Sequence, residues 1–346
     1  MRNDKPIIGI TMGDPAGVGP EIVVKALTDR AVYERCRPVV IGDAKVIQSY
    51  ITSRALDVEV RAIKDVRHAS FRQGMIDVFD LDNVEMSALK PGEVSAMAGN
   101  AAFEAVTTAI ALALEKKIDA TVTGPIHKKA IHDAGHHFSG HTEIYAHYTG
   151  VDHYAMLLVE GNFRVTHIST HVSLRKACDL VKKRRILDVI KLLDGGLRQM
   201  GIYGGKIGIA GLNPHASDSG LFGDEEEKEI IPAIRQAIAQ GFHVEGPVAP
   251  DTMFTKAVTG YYDGCIAMYH DQGHIPFKLA GFRWDNETGK MESVKGVNIT
   301  LGLPIIRTSV DHGTAFDIVG KDLASPDAML LAIDYAIRFA SNINEQ

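Results

Sequence analysis

Along most of the chain, short apolar runs alternate with segments whose apolar residues recur every three or four positions. The runs Ile7–Met12, Pro38–Ile41, Val58–Ile63, Ile76–Phe79, Thr121–Thr123, Ala155–Val159, Val165–Ile168, Ile207–Ala210, Cys265–Met268, Val297–Leu301 and Ile305–Thr308 read as buried strands. Between them, Phe103, Val106, Ile110 and Leu114 mark one helix face, as do Ile186, Val189, Ile190 and Leu193, and Ile230, Ile234 and Ile238. Pro20 with Glu21, and Ser325 with Pro326, are helix-start signals. This alternation predicts an α/β protein with a mainly parallel sheet. At 346 residues the chain exceeds the usual single core, so one large α/β unit or two lobes is expected.

Polar residues crowd the strand ends. Directly after Gly264–Met268 comes Tyr269-His270-Asp271-Gln272-Gly273-His274-Ile275-Pro276-Phe277-Lys278, read as a loop at the carboxyl end of a strand, where open α/β folds bind ligands. Among fifteen histidines, His171, His215 and His270 each lie just beyond a strand. Three imidazoles with an open position suit zinc or a similar divalent ion, although three unrelated loop-end histidines fit the spacing as well. His141 with Thr142 and Glu143 opens a helix, whose amino end favours an anion or is simply capped. Gly13–Glu21 links a strand to a helix but is neither a Walker A loop nor a G-x-G-x-x-G fingerprint. Lys278, Asn298 and Arg307 suggest a phosphorylated small substrate, and Asp311–Gly320 a nucleotide loop.

Composition removes several classes. The net charge of -6 leaves no basic footprint for nucleic acid or an anionic membrane. Lys182–Arg185 is basic but falls within an amphipathic pattern and reads as a solvated helix face. Cys36, Cys178 and Cys265 are too scattered for a disulfide framework or a thiolate zinc site. The amino-terminal apolar run is too short for a signal peptide and no later segment reads as a membrane span, so a cytoplasmic protein is expected.

Taken in order, Gly13-Asp14-Pro15-Ala16-Gly17-Val18-Gly19-Pro20-Glu21, Thr123-Gly124-Pro125-Ile126, Gly140-His141-Thr142-Glu143, Leu212-Asn213-Pro214-His215-Ala216, Tyr269–Gly273 and Arg307–Ala315 resemble the 4-hydroxythreonine-4-phosphate dehydrogenase (PdxA) family. The resemblance runs from about residue 7 to the last helix. It implies the two-lobed isocitrate/isopropylmalate dehydrogenase-like fold, a cleft between α/β/α lobes, and a homodimer that shares its metal site across the interface. The expected lobes are residues 1–125 with 302–346, and residues 126–301. Carried over by position, the metal ligands (for Zn, Mg, Co or Mn) fall on His171, His215 and His270, and the substrate contacts on His141, Thr142, Lys278, Asn298 and Arg307. His312, Gly313, Thr314, Ala315 and Asp317 are similar to the NAD loop of the fold relatives. Asp251, Asp271 and His141 remain open as the general base.

One departure bears on the substrate. Residues 283–295 separate Gly281-Phe282 from Gly296-Val297-Asn298, where the biosynthetic branch passes quickly between them. With Met12-Gly13-Asp14, this insertion is similar to the sister branch that acts on 4-phospho-D-threonate or 4-phospho-D-erythronate. The expectation is NAD-dependent, metal-assisted oxidation at C3 with decarboxylation to dihydroxyacetone phosphate. The alternatives are the 4-hydroxy-L-threonine phosphate dehydrogenase of pyridoxal phosphate synthesis, a zinc hydrolase of a phosphorylated metabolite, and a non-catalytic metabolite-binding module.

Overall fold

The structure, a computed structural model, describes residues 5–286, 290–294 and 296–343. The strands are β1 (Ile7–Thr11), β2 (Arg37–Gly42), β3 (Glu59–Ile63), β4 (Met75–Asp80), β5 (Ala120–Thr123), β6 (Ala155–Glu160), β7 (Phe163–His167), β8 (Ile207–Ala210), β9 (Val244–Val248), β10 (Gly264–Ala267), β11 (Phe282–Asp285), β12 (Lys290–Val294), β13 (Val297–Leu301) and β14 (Ile306–Val310). The chain forms two compact units, Met1–Val151 with Leu303–Gln346, and Asp152–Gly302. Residues 126–151, assigned from sequence to the second lobe, belong to the first unit. Ile131, Ile144 and Tyr145 are buried there against Phe103, Val106 and Ile110.

In the first unit, β3-β4-β2-β1-β5-β14 run parallel. Parallel strands are buried on both faces, which is why these segments read as continuous apolar runs. The helix Ala96–Leu114, capped by Ser95, covers one face by packing Ala105, Ala109 and Leu112 on Val39 and Ile41. It is long and apolar enough to cross a membrane by length and composition, contrary to the sequence reading. Its apolar residues instead fill this core, while Leu114 is exposed at its end. The last helix, Asp327–Ile343, accepts a hydrogen bond at the Ala332 carbonyl from Thr308 Oγ1 (2.8 Å).

In the second unit the order is β13-β6-β7-β10-β8-β9. Here β6 is antiparallel to both neighbours, and β7, β10, β8 and β9 are parallel. The sequence reading missed β9, because Gly246-Pro247 interrupts its pattern; a proline is tolerated on an edge strand such as this. Residues 287–289 and 295 of the insertion lie outside the described residues, and β11 and β12 within it pair antiparallel. Two expectations are corrected. The segment after β10 is not a loop but the helix His270–Gly281, with Pro276 inside it. Arg185 is not on a solvated face: its Nε and Nη2 donate to the carbonyls of Ile168 (3.1 Å) and Tyr154 (3.0 Å).

Gly99 marks the tightest helix contact in the first unit, since an added Cβ would overlap the Ala130 carbonyl at the start of the helix Lys128–Asp133. Alanine improves helix propensity by about 1 kcal/mol, but overpacking against backbone costs about 1–3 kcal/mol and should win. Gly99→Ala is therefore expected to lower the urea midpoint at unchanged m; a raised midpoint would show that the two helices separate freely.

Candidate functional site

Because β7, β8 and β10 are parallel, their carboxyl ends open on one side of the second unit. Gln272, buried in the first turn after β10, joins two of these exits. Its Oε1 accepts from Met268 N (2.7 Å) and its Nε2 donates to Gly211 O (2.8 Å). Beside it, His270 Nδ1 lies 2.7 Å from Asp271 Oδ1. An ionised carboxylate only accepts, so His270 carries its proton on Nδ1 and leaves the Nε2 lone pair for a metal. The His171 ring centroid is 5.7 Å from that of His270. His274 and Lys278 follow His270 at four-residue steps and share its helix face.

Behind His270 stands His167 at the end of β7. It is buried, its Nε2 is 3.2 Å from His274 Nδ1, and its Nδ1 has no partner among the described residues. Burial holds His167 well below the usual imidazole range and brings His274 down to about 4, so both rings are neutral. Gly273 is required here, since a Cβ would collide with His167 Nε2.

His215 sits on an unusual backbone. His215, Ala216, Ser217, Asp218 and Ser219 all have positive φ, between 46° and 73°. Such a left-handed run of non-glycine residues persists only when its surroundings over-determine it. Buried Glu226 supplies much of that: Oε1 accepts from Leu212 N and Asn213 N, and Oε2 from Asn213 Nδ2, each at 2.8 Å. Ser217 Oγ donates to Gly223 O (2.6 Å) and accepts from Gly220 N (2.8 Å). His215 Nδ1 lies 3.9 Å from Asp251 Oδ2. Asp251 and Asp271 line a cavity of about 550 Å³ with Phe254, Tyr269, Ile275 and Leu279.

The structure thus brings together His171 with His270, and His215 with Asp251. Among the described residues, no three His, Cys, Asp or Glu side chains form a group able to hold an ion. Asn298 lies half-buried on β13.

The first unit carries the other candidates. Arg307 on β14 is buried, and its Nη2 donates to Thr123 Oγ1 at 3.0 Å. Its guanidinium lies 5.6 Å from the centre of the Tyr145 ring. Burial pulls Arg307 down to about 10. His141 begins the helix His141–Thr149, and its buried Nε2 has no partner among the described residues. Burial first, and Arg307 second, hold it well below the usual range, so it is neutral. Tyr145, missed from sequence, follows His141 by one turn, and that spacing on a histidine-led helix is the signal that could have found it.

The two glycine-bearing loops of this unit touch. Val18 N donates to Thr314 O (3.0 Å), and a Cβ on Gly17 would press on Thr314 Cβ at 2.9 Å. His127 stacks on Phe316, with centroids 4.9 Å apart. Asp14 is buried: its Oδ1 accepts from Ala16 N (2.9 Å), and its Oδ2 has no partner among the described residues.

The chain matches the model of the family described as "Pyridoxal phosphate biosynthetic protein PdxA" over residues 34–336. A protein of Oceanobacillus iheyensis named "Putative D-threonate 4-phosphate dehydrogenase" is 48% identical over 340 residues, covering 97% of this chain and 98% of that one. One of the same name from Clostridium botulinum (strain Hall) is 44% identical over 340 residues, covering 98% of each. A solved structure of a 4-hydroxythreonine-4-phosphate dehydrogenase from Klebsiella pneumoniae is 43% identical with a TM-score of 0.85, covering 97% of this chain and 100% of that one.

Burial pushes Asp14 up from 3.8 to about 6. With the folded value above the unfolded one, stability is full below the unfolded value and is lost as pH rises through about 6. Asp14→Asn keeps the acceptor for Ala16 N without the buried charge. It is expected to be more stable than wild type by about 2–3 kcal/mol at pH 8, a gap that shrinks as pH falls toward about 4. Equal denaturation midpoints at pH 8 would mean the carboxylate is solvated or paired.

Proposed function

Since the chain belongs to the PdxA family, with the isocitrate/isopropylmalate dehydrogenase-like fold, we propose that it oxidises 4-phospho-D-threonate, or its erythronate epimer, at C3 with NAD. At the coarser level it is a dehydrogenase that acts on the CH–OH group of a phosphorylated hydroxy acid. The 3-keto acid formed at C3 then loses carbon dioxide to give dihydroxyacetone phosphate. What supports the threonate substrate is the 48% identity, across 97% of the chain, to a relative bearing that name. The competing reading, 4-hydroxy-L-threonine phosphate, has the name of the Klebsiella enzyme in its favour.

The histidines fit a divalent ion in donor chemistry. His270 has Nδ1 committed to Asp271, which makes Nε2 the nitrogen that would coordinate, and His171 stands beside it. His215 Nδ1 faces Asp251 in the same sense, though at 3.9 Å. When bound, the ion supplies Lewis acidity at a substrate oxygen and NAD accepts the hydride. Asp271 and Asp251 then act as orienting partners of the imidazoles. Of the three candidate bases this leaves His141, whose neutral Nε2, without a partner among the described residues, is able to take the proton of the C3 hydroxyl. Arg307 offers its fork to phosphate or carboxylate; Lys278, Asn298 and Thr142 complete the substrate contacts, and His312–Ala315 with Asp317 hold the nucleotide. A second copy of the chain is the partner that would complete the ligand set. The exposed Val258, Ile275 and Leu279 around the cavity of about 550 Å³ suit an interface with such a copy.

Parallel assays with 4-phospho-D-threonate, 4-phospho-D-erythronate and 4-hydroxy-L-threonine phosphate should show NAD reduction, lost with a chelator, and highest kcat/KM on one of the first two. A clear preference for the amino acid phosphate, or turnover without NAD, overturns this reading. Arg307→Lys is expected to raise KM roughly ten- to hundredfold, since a point charge replaces a bidentate fork worth about 1.5–3 kcal/mol. An unchanged KM would remove Arg307 from the substrate contacts.

A further inference from the structure

His274 has no part in the reaction above, yet its ring is held by both His270 and His167. Its ring is stacked on that of His270, with centroids 3.6 Å apart and planes 9° from parallel. Its Nδ1 is 3.2 Å from His167 Nε2 and 3.1 Å from the His270 carbonyl oxygen. Residues four apart on a helix meet on one face, but that spacing alone leaves the rings free to turn. Here the outer ring is fixed by a third residue. His167 is rigid in its turn, being 1% exposed at the end of β7 and pressed against Gly273.

His270 is therefore constrained in two directions. Asp271 takes its Nδ1 edge at 2.7 Å, and His274 takes its face. The edge contact sets which nitrogen is free; the face contact sets the plane in which that lone pair points. A hydrogen bond at one nitrogen still permits rotation about the Cβ–Cγ bond when nothing lies against the ring.

We propose that His274, braced by His167, is a positioning residue that fixes the ring plane of the metal ligand His270. The inference rests on the reading of His270 as a ligand, and the test separates the two. Zn²⁺ affinity of the intact protein is measured by competition with a chromophoric chelator, and the ligand field by the visible absorption of the Co²⁺ form. Wild-type protein that fails to bind Zn²⁺ overturns the metal reading and this inference together. Given wild-type binding, His274→Leu is expected to weaken Zn²⁺ about ten- to hundredfold, the usual loss for an outer-shell partner, and to alter the Co²⁺ bands. His274→Phe keeps a flat ring against His270 but loses the brace from His167, and its affinity should fall between those of wild type and His274→Leu. A His274→Leu affinity within about threefold of wild type, or a phenylalanine variant as weak as the leucine one, overturns the proposal while leaving the metal site standing. Should the leucine variant lower Tm, His274→Gln takes its place under the same two criteria.

Discussion

The geometry of the second unit's site hangs on the Gln272 amide. Parallel strands deliver their carboxyl ends to one side, but each chain then leaves in its own direction. A buried primary amide with one acceptor and one donor is suited to tie two such exits. Gln272 accepts from Met268 N and donates to Gly211 O, at 2.7 and 2.8 Å. The first bond starts the helix that bears His270, His274 and Lys278; the second holds the segment that leads to His215. Losing either partner would strand a buried polar group at about 1–3 kcal/mol, which makes the spacing between the two segments stiff.

That tie carries strain beyond it. A left-handed conformation costs a non-glycine residue roughly 1–2 kcal/mol, and five consecutive residues from His215 adopt positive φ. No single contact offsets this. The Glu226 carboxylate accepts three hydrogen bonds from Leu212 and Asn213, and charge-assisted bonds of this kind are the strong ones. Gly211 has to be glycine for the turn to close, because a Cβ there would sit 2.8 Å from Ala216 Cα. Strain concentrated on a candidate ligand and absent from the neighbouring strands points to placement of a side chain as the reason for it.

Much of this was legible in the sequence, and the failures have physical causes. The parallel strands were legible because burial on both faces leaves an apolar run. β9 was not, because Gly246-Pro247 breaks the run and an edge strand needs no unbroken pattern. The helix His270–Gly281 was taken for a loop because Gly273 and Pro276 are local breakers. Tertiary contacts override them: Gly273 is there to clear His167, a constraint from another strand. Polar clustering singled out His141, His171, His215, His270 and Arg307, and the structure sets His171 beside His270 and Arg307 beside Tyr145. Glu226, Gln272 and Tyr145 stayed hidden, because their roles are defined by partners 4 to 162 residues away and by no local pattern.

The two units meet opposite electrostatic problems. In the second, burial keeps the imidazoles of His167 and His274 neutral beside the ring of His270. In the first, Arg307 is a buried cation whose charged form is penalised by desolvation, as its fall to about 10 records. The Tyr145 ring at 5.6 Å, the Thr123 hydroxyl at 3.0 Å and the Glu143 carboxylate favour the charged form against that penalty. Desolvation acts on both kinds of group, yet it leaves the imidazoles neutral and the guanidinium charged, because only Arg307 starts far above neutrality.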